Sequence, residues 1–204
     1  DGPVKEVQRS PRLGQVPILT HYEKDGGAYI TSGIVSAKSL DGKVENVSIH
    51  RMMVVDRNHL AIRIVPRHLY RLCEVAREQG SKRLDVGIAI GLHPAVMLAA
   101  SSPLPFGVSE YKLASALVGH DLKLTACEHV DARVPGDAEL ALEGRILLDK
   151  QVSEGPLVDI TGTYDIVREQ PLVEVVHIMH RKDYVYQALL PGGSEHKLLM
   201  GLPF

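Results

Sequence analysis

The sequence predicts an α+β fold with a β-barrel or β-sandwich at its centre. Several long runs have the β-branched and apolar composition of strands, and a few segments of helical periodicity are inserted between them. The chain has 204 residues, of which 45% are hydrophobic, so it can build one large domain or two small ones. It shows neither an internal repeat nor a low-complexity segment.

Strand patterns dominate the first part of the chain, after an opening segment, residues 1–27, that is rich in proline and glycine. The expected strands are residues 29–37, 46–54 and 60–65. Asp41 and Gly42 supply a turn before the second strand, and Asn58 supplies a turn after it. Pro66 ends the third strand because it lacks the N–H that another ladder bond would need.

Helical patterns follow in the middle of the chain. The expected elements are a helix over residues 67–79, a strand over 84–90, and helices over 95–100 and 110–118. Gly80 is a stop signal for the first helix, and Pro94 has a favoured position at the start of the second. Ser109 is a suitable N-cap for the third, with Glu110 in its first turn.

The remainder of the chain is mostly of β type. The expected strands are residues 122–126, 138–148, 173–180 and 184–189. Between the second and third of these, residues 153–164 are expected to form a loop, because glycine and proline interrupt them. This loop carries two carboxylates, Glu154 and Asp159.

Composition excludes several classes of function. The net charge of −2 and the scattered lysines and arginines argue against a nucleic-acid-binding surface, and no apolar run approaches the ~18 residues of a membrane span. Cys73 and Cys127 are isolated, which favours a reducing cytoplasm over a disulfide scaffold. The chain begins at Asp1 without methionine and stops at Phe204, so we expect it to be a segment of a longer polypeptide.

The strand over residues 46–54 has an unusual polar load. Asn46, Ser48, His50 and Arg51 fall within six residues, and Asn46 and Arg51 would point to opposite faces of a regular strand. Either the strand has a bulge here or its two faces serve two different groups. The alternative is an edge strand whose polar residues are solvated.

Two sets of residues could carry chemistry. Asn46, His68 and Glu110 offer an amide oxygen, an imidazole nitrogen and a carboxylate, a set that favours Mg²⁺ or Mn²⁺ over zinc. An arginine, Arg51, between Glu154 and Asp159 could separate the pKa values of the two acids, as acid/base catalysis requires. Each set has a plain alternative, in which these side chains have separate local roles or are solvated.

A third candidate is the glycine-containing segment 191–197. It is only weakly similar to a phosphate-binding turn, and the start of a helix after a flexible linker explains it equally well. The other histidines show no metal-site spacing, so we expect surface or capping positions for most of them.

Taken in order, seven motifs over residues 28–204 resemble the UbiD family of prenylated-flavin-dependent decarboxylases. They are Asn46-x-Ser48-Ile49-x-Arg51; Pro66-Arg67-His68; Gly91-x-His93-Pro94; Ser109-Glu110; Val134-Pro135 with Ala138-Glu139 and Glu143-Gly144; Glu154-Gly155-Pro156 with Asp159-x-Thr161-Gly162; and Pro191-Gly192-Gly193-x-Glu195-His196-Lys197. Each motif is common by itself, and their common order makes the resemblance specific.

The resemblance implies a fold and an activity. The fold would be a flavin-reductase-like split β-barrel with inserted helices over residues 1–188, a central domain, with residues 189–204 starting a linker towards a C-terminal domain. The activity would be the reversible, non-oxidative decarboxylation of an α,β-unsaturated or (hetero)aromatic carboxylic acid with prenylated FMN. Candidate substrates include furan, pyrrole and phenolic acids, polyprenyl hydroxybenzoates and an enoic acid phosphate.

The resemblance also assigns roles to individual residues. The metal ligands would be Asn46, His68 and Glu110, which hold Mn²⁺ (or Mg²⁺) beside K⁺ at the cofactor phosphate; the cofactor would further contact Ser48, Ile49, Arg51 and Arg67; and the catalytic residues would be Arg51, Glu154 and Asp159. Arg51 would bind the substrate carboxylate, Glu154 would orient Arg51, and Asp159 would protonate the carbon that loses CO₂. Many family members have glutamate at the position of Asp159.

Further expectations concern partners and alternatives. The resemblance implies a flavin prenyltransferase that supplies the cofactor, and a homo-oligomer; we expect neither a nucleic acid nor a membrane as partner. A second interpretation is a flavin-binding module that is inactive by itself. A third is an ordinary FMN-dependent split-barrel oxidoreductase that uses a nicotinamide.

Overall fold

Long antiparallel strands form the framework of the protein, as seen in a computed structural model that describes residues 2–202. The strands are β1 (Val7–Arg9), β2 (Tyr29–Lys38), β3 (Glu45–Val54), β4 (His59–Ile62), β5 (Arg83–Ile90), β6 (Leu124–Ala126), β7 (Arg133–Pro135), β8 (Leu140–Glu154) and β9 (Arg168–His180). The helices are α1 (His68–Glu78), α2 (Pro94–Ser101), α3 (Glu110–Val118) and α4 (Ser194–Gly201).

Six of the strands close into a barrel. Their order is β9-β4-β3-β2-β5-β8, and pairing of β8 with β9 closes the ring. β1 adds to the other edge of β9, while β6 and β7 form a separate two-stranded sheet. The predicted α+β class is confirmed, and of the barrel and sandwich alternatives the barrel is correct.

Apolar side chains fill the barrel and one of its outer faces. Ile30, Met52 and Ile88 lie in the largest buried cluster and are fully buried. Burying a side chain of this size contributes about 1.5–3 kcal/mol. A second cluster joins Ile34 and Val47 of the sheet to α2, α3 and α4. Helices α2, α3 and α4 therefore cover the outer face of β2 and β3, whereas the buried side chains of α1 belong to the barrel cluster.

The predicted helices are confirmed, with one difference at a cap. Pro94 is the first residue of α2, and the ring of His93 accepts a hydrogen bond from the Ala95 N–H, which makes His93 a cap. Ser109 precedes α3 but makes no capping bond. Its hydroxyl instead donates to Glu45, so Ser109 has the expected N-cap position but its side chain does not cap the helix.

Two strand predictions differ most from the structure, and β4 also ends at Ile62, before the expected end at residue 65. Residues 184–189 form no strand, because the N–H of Val185 bonds to the Glu139 carboxylate and that of Leu189 to the Thr31 hydroxyl. β8 runs on to Glu154, beyond the expected end at 148, because β9 begins early and pairs Arg168 with Glu154. Glu154 is therefore a strand residue rather than a loop residue.

Three further points concern membrane spans, the two cysteines and the expected linker. None of the helices there is both long and apolar enough to cross a membrane. Burial raises the pKa of Cys73 and of Cys127 to about 12, so both are poor nucleophiles. The expected linker, residues 189–204, includes residues 203 and 204, which lie outside the described part of the chain.

Candidate active site

Arg51 and Glu154 form the centre of the site. The Arg51 Nε donates to Glu154 Oε1 over 3.0 Å, and Nη2 donates to Oε2 over 3.1 Å. Such a two-point contact fixes the plane of a guanidinium group. Glu154 is fully buried and the Arg51 side chain is 17% exposed. The structure thus brings together two of the three predicted catalytic residues.

The position of Arg51 depends on a bulge in the neighbouring strand. Ile30 of β2 pairs with Met52 and Gly33 pairs with His50, so β2 carries one extra residue opposite Arg51. We expected either a bulge or a division of the two faces in β3 itself. The bulge lies in the partner strand, next to the site, where bulges commonly redirect side chains. Asn46 and Arg51 of β3 do contact two different groups, Glu110 and Glu154.

Tyr29 completes the contacts of the buried carboxylate. Its hydroxyl donates to Glu154 Oε1 over 3.0 Å. Burial and the charge of Glu154 raise the pKa of Tyr29, which keeps the hydroxyl protonated as a donor. Burial alone would lower the pKa of Arg51, but the hydrogen bonds and charge of Glu154 and the charge of Asp165 raise it. Arg51 is therefore a permanent cation.

The second acid beside Arg51 is Asp165, which the sequence reasoning missed. Arg51 Nη2 lies 3.1 Å from Asp165 Oδ2. Asp159 instead accepts hydrogen bonds from the N–H and hydroxyl of Thr161, and within residues 2–202 no hydrogen bond joins it to Arg51. Arg51 thus contacts Glu154 as expected, but its second acidic partner is Asp165 and not Asp159.

Two more arginines surround Asp165. Arg168 Nη1 contacts Asp165 Oδ1 over 2.6 Å, and Arg63 Nη2 lies 3.9 Å from Asp165 Oδ2. The pKa of Asp165 is lowered: burial opposes this, but the hydrogen bond from Arg168 and the charge of Arg51 outweigh it. Neither Arg63 nor Arg168 was singled out in the sequence, since each is an isolated charge at a strand end.

His196 lies near both Arg51 and Asp159. The turn before α4 points the Gly192 N–H at His196 Nδ1 over 3.0 Å, and Gly192 itself packs against the backbone of Asp159. Burial lowers the pKa of His196, Asp159 raises it and Arg51 lowers it further. Segment 191–197 therefore contains the start of a helix, and its glycines bring the helix close to the acid loop.

At the other end of β3, Asn46 and Glu110 are in contact. Asn46 Nδ2 donates to Glu110 Oε1 over 3.1 Å, and the Val47 N–H donates to Oε2 over 2.7 Å. Ser48 donates to Asn46 Oδ1 and bonds to the His50 ring. Burial raises the pKa of Glu110, and its carboxylate forms no ion pair with a described residue.

The structure places the other predicted cofactor residues separately. His68 packs edge-on against Phe106 with ring centres 5.4 Å apart, and no hydrogen bond links it to Asn46 or Glu110 among the described residues. Ile49 is partly buried against the α2 and α3 cluster, and Arg67 is exposed before α1. In residues 2–202, no three His, Cys, Asp or Glu side chains form a metal-binding group.

Comparison with known proteins identifies the family. The UbiD model, described as the 3-octaprenyl-4-hydroxybenzoate carboxy-lyase Rift-related domain, matches residues 1–194. Anhydromevalonate phosphate decarboxylase of Methanothermobacter thermautotrophicus is 48% identical over 191 residues, which cover 94% of this chain and 45% of the relative. The chain spans about half the length of the curated relatives it matches.

Solved structures agree in fold. HmfF, a UbiD-class enzyme of Pelotomaculum thermopropionicum solved with prFMN, superposes with a TM-score of 0.95 and 41% identity over 98% of this chain and 48% of its own. Flavoredoxin of Desulfovibrio vulgaris (Miyazaki F) superposes with a TM-score of 0.50 and 17% identity, covering 84% of this chain and 81% of its own. That likeness concerns the fold alone and agrees with the predicted flavin-reductase-like split barrel. The chain belongs to the UbiD family, whose Rift-related domain it contains.

Proposed function

We propose that this chain is the cofactor-binding and catalytic barrel of a prenylated-FMN-dependent carboxy-lyase that reversibly decarboxylates an unsaturated carboxylic acid. The observation that carries the proposal is Arg51, held by the buried Glu154 with Asp165 beside it, in a chain 41% identical to a UbiD-class enzyme solved with prFMN. Relatives named anhydromevalonate phosphate decarboxylase favour a phosphorylated unsaturated acid over an aromatic one. The (hetero)aromatic acids remain the second candidate class.

Arg51 has a free position for a substrate carboxylate. Its Nε and Nη2 are occupied by Glu154 and Asp165, whereas Nη1 makes no hydrogen bond within the described residues. A carboxylate accepts well from such an N–H because the bond is charge-assisted. Glu154 and Tyr29 hold the guanidinium in place, so its orientation is set before the substrate arrives.

Asp159 is proposed as the proton donor. Hydrogen bonds from Thr161 lower the pKa of Asp159, so at neutral pH its carboxylate is ionised in the present arrangement. To donate, it has to gain a proton and leave Thr161; in the reverse direction the ionised form is ready to accept a proton. We assign exchange of this proton to the neighbouring His196, whose pKa is lowered by burial and raised by the charge of Asp159.

The metal ligands are proposed to be Asn46, His68 and Glu110, holding Mn²⁺ (or Mg²⁺), with K⁺ nearby, at the cofactor phosphate. Glu110 fits this role because it is a buried carboxylate without a cationic partner among the described residues, a costly arrangement that a bound cation would relieve. Ser48, Ile49 and Arg67 would line the cofactor site. Prenylated FMN, when bound, supplies the electron sink for loss of CO₂.

The wider setting is also proposed. We assign residues 1–188 to the central domain and residues 189–204 to the start of the linker, with a homo-oligomeric enzyme and a flavin prenyltransferase as cofactor supplier. Two free thiols agree with action in the reducing cytoplasm.

The test is a decarboxylation assay of the full-length polypeptide co-expressed with a flavin prenyltransferase. We expect coloured protein, CO₂ release from an unsaturated acid, and H/D exchange on the product. Asp159→Asn should lose both reactions and keep the flavin. Wild-type rates in that variant would contradict its role, and consumption of NAD(P)H without CO₂ release would favour the oxidoreductase interpretation. Protein that binds flavin but lacks both reactions would match the inactive module.

A further inference from the structure

Three arginines converge on one carboxylate at one side of the site. Arg51, Arg63 and Arg168 all approach Asp165, with N–O distances of 3.1, 3.9 and 2.6 Å. Glu154 also contacts Arg51, so within the described residues three guanidinium groups contact two carboxylates, while the neighbouring Asp159 is bonded to Thr161. Closely spaced, partly buried guanidinium groups attract an anion.

Arg63 is the member of this cluster whose guanidinium group makes no hydrogen bond to any described residue. Its backbone is fixed on both sides: its N–H donates to the Arg51 carbonyl over 3.1 Å, and its own carbonyl is 2.9 Å from His50 Nδ1. Its guanidinium group, in contrast, makes no hydrogen bond within residues 2–202 and touches Asp165 only at ion-pair distance. Burial and the charges of Arg168 and Arg51 lower its pKa, a repulsion that a bound anion would relieve.

We propose that Arg63, assisted by Arg168, binds a second anionic group, a phosphate monoester, on the substrate whose carboxylate is bound by Arg51. The planar guanidinium group presents paired N–H donors that match phosphate oxygens, and two such groups side by side suit a dianion. Arg63 is then a specificity-determining residue for doubly anionic acids. This inference rests on the proposed decarboxylase function and specifies how its substrate is recognised.

The cofactor phosphate is a different anion at a different place. Its proposed ligands Asn46 and Glu110 lie at one end of β3, whereas Arg63 is beside Arg51, five residues further along the strand. At about 3.3 Å per strand residue, this corresponds to ~17 Å. This spacing between Asn46 and Arg51 favours separate binding positions for the two anions.

The kinetic test compares a phosphorylated unsaturated acid with its dephosphorylated alcohol analogue, using the holoenzyme. In Arg63→Gln, we expect kcat/KM for the phosphorylated acid, relative to that for the alcohol, to fall ~10- to 100-fold, since a charged hydrogen bond is lost. Arg63→Lys should recover part of this ratio because it keeps the charge. Arg71→Gln, on the exposed surface of α1, is the matched control and should leave the ratio unchanged.

A binding test separates this inference from the proposed function. Calorimetric titration of the protein with butyl phosphate should show weaker binding in Arg63→Gln than in wild type and Arg71→Gln, whether or not decarboxylation is observed. Equal binding in all three proteins, an unchanged kinetic ratio, or loss of flavin from Arg63→Gln would overturn the assignment. Absence of decarboxylation in wild type, with the binding difference intact, would overturn only the proposed function.

Discussion

Replacing Glu154 by glutamine tests the central ion pair. The buried carboxylate accepts two hydrogen bonds from Arg51 and one from Tyr29, at 3.0 to 3.1 Å. A glutamine side chain has one acceptor oxygen, and its NH₂ group would face the donors of Arg51 or the hydroxyl of Tyr29. The change thus leaves a mostly buried guanidinium group with Asp165 as its remaining partner.

The expected loss is about 3–5 kcal/mol in the free energy of unfolding, the range found when one member of a buried ion pair is removed. For a protein of this size, 1 kcal/mol corresponds to about 2–4 °C, so Tm should fall by about 6–20 °C. Urea unfolding followed by circular dichroism measures the first quantity, and a thermal scan measures the second.

The control is Glu78→Gln. Glu78 pairs with Arg71 at 4.0 Å, and the two side chains are 67% and 59% exposed. Exposed pairs of this kind contribute about 0–1 kcal/mol, so this variant should unfold nearly as wild type does. A Glu154→Gln protein within 1 kcal/mol of wild type would show that the pair is not the structural centre we infer.

Three further outcomes are expected. Tyr29→Phe should lose about 1.5–3 kcal/mol of stability in urea unfolding, because it removes a hydrogen bond to a charged group; an unchanged midpoint would contradict this bond. Glu110→Gln should weaken Mn²⁺ binding at least tenfold in an EPR titration of the flavin-loaded protein, whereas equal affinity would argue against Glu110 as a ligand. Burial lowers the pKa of His50 below 6.5, so below about pH 6.5 the unfolded chain takes up the proton first and stability falls. Urea unfolding of His50→Gln should show a shallower loss between pH 7 and 5; an unchanged slope would assign the effect to other groups.

The sequence was most informative where a pattern is local. The periodicity of α1, the loose alternation in β2 and the short apolar run of β5 depend on neighbouring residues, so the existence and position of these elements could be predicted. β8 extends to Glu154 because a distant segment, Arg168 onwards, pairs with it, and no local signal reports such pairing. In residues 184–189 the apolar pattern is strand-like, but side chains from elsewhere take the backbone bonds.

The candidate site likewise contains residues that a sequence motif marks and residues that only the fold brings together. Arg51 and Glu154 were found because they belong to motifs of the family, and their contact is observed. Asp165 and Arg63 belong to no motif, and only the fold brings them to Arg51. For His68 the resemblance assigns a ligand role, yet its ring packs on Phe106, so this role stays a prediction.

Strand β3 carries one residue of the proposed metal site and one of the proposed catalytic site. This constrains how far apart the two sites can lie. Asn46 and Arg51 both lie on β3, which pairs with β2 along one edge and with β4 near its C-terminal end. The distance between the two residues is therefore fixed by the strand. Inserting one residue between them would add about 3.3 Å and turn Arg51 to the opposite face of the sheet. We therefore expect adaptation to acids of different length to involve side chains around this strand, such as Arg63, rather than a change in the length of the strand.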